Sequence, residues 1–147
     1  MKKPRLLIID DAVNLTLFYQ QEFEDDGYRV DIANSTGGAA KLLNSNTYDL
    51  VIVEPTMMEM DELNEFEQDM INRKNTPVIV NTVDHEHNYQ LVCWGMDVSI
   101  QKSSDISFLK EIMKALLEFW GDGKRPVGFN NKDHEYAEYR NKMIMAN

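Results

Sequence analysis

Short apolar runs, rich in β-branched residues, alternate along most of the chain with longer segments of helical spacing. The strongest run is 49–53 (Asp-Leu-Val-Ile-Val), and runs this short and apolar are typical of strands buried on both faces of a parallel sheet. Pro77 suits the first residue of its run, where no ladder hydrogen bond is lost. The predicted strands are 5–9, 28–33, 49–53, 77–80 and 98–100.

Segments with helical spacing follow each apolar run. Gly27 suits the residue just after a helix, because glycine takes the left-handed conformation at little cost, and Ser35 suits an N-cap. The predicted helices are 13–26, one from Ser35 through Leu43, 61–73, 86–94 and 106–120. Five strands alternating with five helices predict a doubly wound α/β fold, (βα)5, with a five-stranded parallel sheet and right-handed crossovers.

The first predicted helix has two kinds of surface. Val13, Leu17 and Phe18 fall on one side of it, which predicts the face that packs on the core. The polar residues expected to lie outside are Gln20, Glu24 and Asp25.

The composition changes after residue 120. Glycine, proline and asparagine are frequent in 121–131, which predicts a linker, so we expect a domain at 1–120 and a linker with a short tail at 121–147. A short helix is an option for 133–145, whose apolar side carries Tyr136, Tyr139, Met143 and Ile144. A frayed tail, docking on the domain and docking on a second copy are the alternatives.

Charge and cysteine content narrow the class of protein. The 147 residues carry a formal net charge of −10, which repels phosphate backbones and disfavours direct nucleic-acid binding. The chain contains no apolar run long enough to cross a bilayer, so no membrane partner is expected. A single cysteine, Cys93, cannot form an internal disulfide and is typical of a reducing compartment, so we expect a cytoplasmic protein.

Polar residues that carry chemistry follow four of the predicted strands. Asp10 and Asp11 follow the first strand, Glu54 the third, Thr82 the fourth and Lys102 the fifth. In open α/β sheets, ligands bind at the carboxyl ends of the strands, so these side chains are expected to share one cleft. Carboxylates this close repel one another unless a cation joins them, and an oxygen-rich, solvent-open site suits Mg²⁺.

Four segments together resemble the receiver domain of two-component response regulators, over about residues 4–120. They are Leu-Leu-Ile-Ile-Asp-Asp (6–11), Tyr-Asp-Leu-Val-Ile-Val-Glu (48–54) continuing to Met60-Asp61, Pro-Val-Ile-Val-Asn-Thr (77–82) and Lys102. The resemblance implies a flavodoxin-like sheet with the strand order 2-1-3-4-5.

The resemblance also implies roles for individual residues. Members of the family accept a phosphoryl group from a histidine kinase on an aspartate at the position of Glu54. Asp11 would bind Mg²⁺ directly, Asp10 largely through water, and the Thr56 carbonyl would be a further ligand, with Glu54 still able to accept metal. Thr82 and Lys102 would bind phosphoryl oxygens.

Glu54 is the largest departure from the family. Its carboxylate lies one methylene, about 1.5 Å, further from the backbone than that of an aspartate. An error of ~1 Å in positioning can cost about a hundredfold in rate, so we expect no phosphorylation at residue 54. Glutamate would then either imitate the phosphorylated state or disable the site, and a salt bridge to Lys102 without a signalling role is the structural alternative.

Other departures from the family also argue against ordinary switching by phosphorylation. Ser103 replaces the proline that usually follows the lysine through a cis bond, which predicts a trans bond or a strained loop here. Ser99 replaces an aromatic switch residue and is too small to report site occupancy. The turn after Glu54 lacks the usual proline and glycines, and its sequence is Met58-Glu59-Met60-Asp61-Glu62.

The sequence therefore predicts a stand-alone, receiver-like signalling module that is not an enzyme and acts by protein–protein contacts. The expected partners are a histidine kinase or a downstream signalling protein. A homodimer would use the tail or the face of the fourth helix, fifth strand and fifth helix, including Tyr89, Trp94 and 104–110. The alternative is a phospho-accepting regulator in which Glu54 is a natural or engineered activation mimic. A flavin-binding protein is disfavoured, because Asp10-Asp11 replaces the phosphate-binding loop that it needs.

Overall fold

A computed structural model describes residues 2–73, 75–83 and 98–119 of the chain. The helix predicted at 86–94 and the tail predicted at 121–147 lie outside the described residues, as do Tyr89 and Trp94 of the predicted interaction face. The residues of the predicted catalytic and metal sites all lie within the described part.

The described elements alternate between strands and helices. The strands are β1 (Arg5–Ile9), β2 (Arg29–Ala33), β3 (Leu50–Val53), β4 (Val78–Thr82) and β5 (Val98–Gln101). The helices are α1 (Val13–Asp25), α2 (Thr36–Ser45), α3 (Met60–Asn72) and α4 (Ser107–Phe119), with a 3₁₀ turn at Pro55–Met57. The helix α4 corresponds to the fifth helix predicted from the sequence. None of the described helices is long and apolar enough to cross a membrane.

The five strands form one parallel sheet in the order β2-β1-β3-β4-β5. This result confirms the predicted doubly wound, flavodoxin-like architecture. The register pairs Ile9, the last residue of β1, with Val53, the last residue of β3, and it pairs Val53 with Val80, two residues before the end of β4. The segments that follow these strands therefore start at the same edge of the sheet.

The sheet separates two apolar cores, because successive strand residues point to opposite faces. Tyr19 and Phe23 of α1 pack with α4 residues such as Ile112 on one face. Leu43 of α2 and Phe66 of α3 pack on the other. Leu6–Ile9, β3 and β4 are almost completely buried on both faces, which explains why their sequences are mainly apolar. The edge strand β2 carries the exposed Arg29 and the half-buried Asp31.

The prediction of which face of α1 packs on the core was wrong. Val13, Leu17 and Phe18 are 53%, 53% and 45% exposed. The buried residues are Thr16, Tyr19 and Phe23, at helical spacing i, i+3 and i+7. Each set can form one face of a helix by periodicity. In the structure, Tyr19 and Phe23 lie in the apolar core, where their rings stack with centroids 5.5 Å apart. Of the residues predicted outside, Glu24 and Asp25 are exposed, whereas Gln20 is half-buried.

The predicted helix ends are confirmed at two positions. Gly27 follows α1 with a φ of +99°, in the left-handed region that glycine adopts without a Cβ penalty. The Ser35 hydroxyl accepts a hydrogen bond of 3.0 Å from the Gly38 amide and caps α2. The helix α3 begins at Met60, one residue before its predicted start, because Glu59 and Glu62 form a reciprocal capping box there.

Candidate functional site

Backbone hydrogen bonds just beyond the strands fix the residues of the predicted cleft. The Asp10 amide donates to the Ala33 carbonyl at 3.0 Å, and the Glu54 amide donates to the Ile9 carbonyl at 2.9 Å. The Lys102 amide donates to the Thr82 carbonyl at 2.7 Å. Because each of these residues continues the parallel pairing by one step, their side chains leave the sheet at one edge.

Lys102 joins the two buried carboxylates at this edge. Its Nζ lies 2.7 Å from Asp10 Oδ2 and 3.0 Å from Glu54 Oε1. The side chains of Asp10 and Glu54 are only 4% and 3% exposed, and that of Lys102 is 13% exposed. Two carboxylates removed from water at such close range need a cation, and the lysine ammonium meets this need.

Asp10 is held by its own neighbours as well as by Lys102. Its Oδ1 accepts a hydrogen bond of 2.9 Å from the Ala12 amide. Asn34, just after β2, donates a hydrogen bond of 2.7 Å from its side-chain Nδ2 to the backbone carbonyl of Asp10. Both oxygens of the Asp10 carboxylate therefore have donors, and its orientation is fixed from two sides.

The two oxygens of Glu54 have different surroundings. Oε1 accepts a hydrogen bond of 3.1 Å from the Val83 amide in addition to the contact with Lys102. Oε2 is buried and receives no hydrogen bond from any described residue. A buried carboxylate oxygen without a donor is costly, so Oε2 is an acceptor open to a cation or a water molecule.

The pKa of Lys102 lies above its ordinary value. Burial disfavours the charged ammonium and lowers the pKa, but hydrogen bonds and charge interactions with Asp10 and Glu54 outweigh that effect. Lys102 is consequently a stable cation at neutral pH.

The other predicted site residues differ in their exposure to solvent. Thr82, the last residue of β4, is fully buried, whereas Asp11 and the side chain of Thr56 are exposed at the same edge. Within residues 2–73, 75–83 and 98–119, no three His, Cys, Asp or Glu side chains are grouped so as to hold a metal ion. The structure thus brings together Asp10, Glu54 and Lys102.

A buried polar pair lies beneath the cleft, on the α1 side of β4. The Asn81 side chain donates a hydrogen bond of 2.9 Å to the Tyr19 hydroxyl. Burial raises the pKa of Tyr19, although the hydrogen bond from Asn81 acts in the opposite direction. This bond ties α1 to the end of β4, next to the strand ends that carry Glu54 and Lys102.

The residues that replace the usual switch and proline show ordinary geometry. Ser99 is 1% exposed in the middle of β5. No cis peptide bond occurs among the described residues, so the bond between Lys102 and Ser103 is trans, as one of the two predicted options required.

Three contributors to the site were missed by sequence reasoning. The Val83 contact comes from a backbone amide, for which the identity of the side chain gives no signal. Asn34 and Asn81 act through side-chain amides, and their positions directly after β2 and near the end of β4 were available signals. Uncharged polar residues at the ends of otherwise apolar strands therefore indicate the position of the site, as acidic residues do.

Comparison with known proteins identifies the family. Residues 6–114 match the model of the response regulator receiver domain. The chain is 32% identical over 117 residues to the response regulator ArlR of Staphylococcus saprophyticus, a match that covers 77% of this chain and 52% of that protein. ArlR of Staphylococcus epidermidis is 30% identical over 115 residues, with 76% of this chain and 52% of that protein covered. The chain thus spans about half the length of these curated relatives.

Solved structures agree with this match. The response regulator TrrA of Thermotoga maritima, crystallised in complex with Mg²⁺-BeF, superposes with a TM-score of 0.69 at 30% identity, over 78% of this chain and 99% of that chain. A CheY-like receiver domain from Methanospirillum hungatei gives a TM-score of 0.74 at 25% identity, over 84% of this chain and 100% of that chain. This chain belongs to the response regulator receiver domain family of two-component systems.

Proposed function

We propose that this receiver domain signals through protein–protein contacts without phosphorylation at residue 54, because Glu54 supplies the charge and contacts of a phosphorylated residue. A histidine kinase or a downstream signalling protein would be the partner, and the domain would act as a module rather than as an enzyme. The main support for this proposal is that Glu54 Oε1 contacts both the Val83 amide and the Lys102 ammonium.

The length of the glutamate side chain supports this proposal. Glu54 leaves β3 but reaches the backbone beyond β4 and the lysine beyond β5, so one carboxylate oxygen connects three neighbouring strand ends. An aspartate at residue 54 would end about 1.5 Å earlier and could span this distance only with an added group. The phosphoryl group of a typical receiver is such a group, and here the extra methylene takes its place.

Replacing Glu54 by Asp should break the contact with Val83 and should be repaired by a phosphoryl analogue. In two-dimensional amide NMR spectra, we expect the Val83 signal of the Glu54→Asp protein to move away from its wild-type position. Addition of Mg²⁺ and beryllofluoride should move it back, whereas the wild-type spectrum should not respond at this residue.

Glu65→Asp is the matched control, since it makes the same change on the exposed surface of α3 and should leave the Val83 signal in place. A beryllofluoride-bound Glu54→Asp protein whose Val83 signal moves still further from the wild type would contradict the proposed mimicry.

We also propose that the site binds Mg²⁺, because its donors are the oxygen atoms that this ion prefers. Glu54 Oε2 is buried and receives no hydrogen bond from the described residues. Asp10 contacts the same lysine, Lys102, as Glu54 does, and Asp11 is exposed at the same edge of the sheet. These carboxylates and the Thr56 carbonyl would hold the ion, which would neutralise negative charge at the cleft. Lys102 already occupies the space between the two buried carboxylates, so weak binding is expected.

Isothermal titration calorimetry tests the contribution of Glu54 to metal binding. Glu54→Gln should lower the affinity for Mg²⁺ by about tenfold or more, since an amide is a poorer ligand than a carboxylate. Glu65→Gln removes the same charge from an exposed position and should leave the affinity unchanged. Equal affinities of the Glu54→Gln variant and the wild type would show that Glu54 is not a ligand.

A further inference from the structure

The side chain of Gln101, the last residue of β5, makes a hydrogen bond beside the cleft. Its Nε2 donates to the carbonyl of Val83 at 3.1 Å. The register pairs Gln101 with Thr82, the last residue of β4, so Val83 lies one residue beyond the paired strands. The Gln101 side chain thus continues the connection between β4 and β5 past the end of the ladder.

Val83 is held by two hydrogen bonds that come from different strand ends. Its amide donates to Glu54 Oε1 at 3.1 Å, and its carbonyl accepts from Gln101. Its side chain is 62% exposed, so burial of that side chain contributes little to fixing the residue. In the part of the chain that the structure describes, these two hydrogen bonds therefore fix the direction of the Val83 amide.

We infer that Gln101 is a positioning residue, which holds Val83 so that its amide meets the carboxylate of Glu54. The inference rests on the proposed function, in which the contact between Glu54 Oε1 and the Val83 amide takes the place of a phosphoryl contact. A donor binds its acceptor more favourably when another group already fixes the backbone that carries it, because less conformational freedom is lost as the bond forms. Gln101 fixes this backbone from β5.

The chemistry of a glutamine side chain suits this role. Its amide nitrogen donates hydrogen bonds, whereas a methionine side chain of similar length has no donor. Gln101 is exposed to solvent, so water competes for the Val83 carbonyl and the contribution of the hydrogen bond is modest. A contribution of this kind corresponds to about two- to fivefold in the equilibrium that opens the Val83 amide to solvent.

Hydrogen exchange of the Val83 amide, followed by NMR on the full chain, tests the inference. Gln101→Met should speed the exchange of this amide by about two- to fivefold, because its bond to Glu54 opens more often. The amides of β3 should exchange as in the wild type, which separates positioning of Val83 from a general loss of structure. Gln21→Met makes the same change at an exposed position of α1, so it is the matched control and should leave Val83 unchanged.

A second substitution shows whether Gln101 acts through the contact with Glu54. Glu54→Asp alone should also speed the exchange of the Val83 amide, because the shorter side chain gives up that contact. In the Glu54→Asp background, Gln101→Met should add less than about twofold, since the contact that it supports is already lost. Effects that multiply would show that the two residues act independently and would overturn the positioning role.

The outcomes distinguish this inference from the proposed function. Faster exchange in Glu54→Asp with unchanged exchange in Gln101→Met would overturn the role of Gln101 and leave the proposed function standing. Unchanged exchange in Glu54→Asp, whatever Gln101→Met does, would overturn the contact with Val83 on which both rest. The expected coupling, together with a beryllofluoride response of Glu54→Asp opposite to the one proposed, would overturn the mimicry and support the role of Gln101.

Discussion

Substituting aspartate for Glu54 is expected to make this domain accept a phosphoryl group that the wild-type protein does not accept. With acetyl phosphate and Mg²⁺, the intact mass of the Glu54→Asp protein should rise by roughly 80 Da, the mass of one phosphoryl group. The physical reason is position, since a nucleophile misplaced by ~1 Å can lose about a hundredfold in rate. The wild-type protein should keep its original mass over the same time.

The residues around position 54 can support phosphoryl transfer to an aspartate there. Lys102 contacts the carboxylate, and Thr82 ends the adjacent strand. Lysine and threonine side chains can stabilise the negative charge that develops during phosphoryl transfer. Shortening residue 54 by one methylene also withdraws its oxygen from the Val83 amide, which becomes available to an incoming phosphoryl oxygen.

The control for this experiment is Glu65→Asp, which creates an aspartate on the exposed surface of α3 and should not be labelled. Absence of label in the Glu54→Asp protein would show that Ser99, Ser103 and the altered turn after Glu54 also prevent transfer. Label on the wild-type protein that maps to Glu54 would refute the proposal that residue 54 is silent.

The sheet could be predicted from the sequence because its strands are buried on both faces. A strand such as Leu50–Val53 is completely apolar, and no other strand or helix in the described part of the chain combines so short a length with such uniform hydrophobicity. The core face of α1 could not be predicted in the same way. Val13 and Leu17, like Thr16 and Phe23, fit one face of a helix, so spacing alone does not decide which set is buried.

The site was predicted at the level of strand ends but not at the level of atoms. The positions of Asp10, Glu54 and Lys102 after parallel strands placed them in one cleft, as the structure confirms. The sequence does not show that Lys102 bridges both carboxylates, because that depends on rotamers and on burial. It also gives no signal for the Val83 amide, which distinguishes the two oxygens of Glu54.

Lys102 is the residue on which the two buried carboxylates depend, and its replacement by methionine should be strongly destabilising. Removal of one partner from a buried ion pair costs about 3–5 kcal/mol, because the remaining charges are left without compensation. In Lys102→Met, both Asp10 and Glu54 lose their cation while each stays at least 96% buried. Urea denaturation at neutral pH should show this loss as a lower midpoint.

The surface pair of Lys110 supplies the comparison. Lys110 lies 3.0 Å from Asp26, but both side chains are about a third or more exposed, so Lys110→Met should cost no more than about 1 kcal/mol. A Lys102→Met protein as stable as the Lys110→Met protein would mean that the carboxylates of Asp10 and Glu54 do not depend on Lys102.

The dependence on pH separates the ion pair from simple packing. The folded-state pKa of Lys102 is raised above the ordinary value of 10.5, so its stabilising contribution is fully present below that value and is lost as the pH rises through the folded-state pKa. The difference in the free energy of unfolding between wild type and Lys102→Met should therefore be constant between neutral pH and about pH 10 and decrease as the pH rises through the folded-state pKa of Lys102. A difference that stays constant with pH would assign the effect of Lys102 to packing of its methylene chain, because only the charged pair titrates.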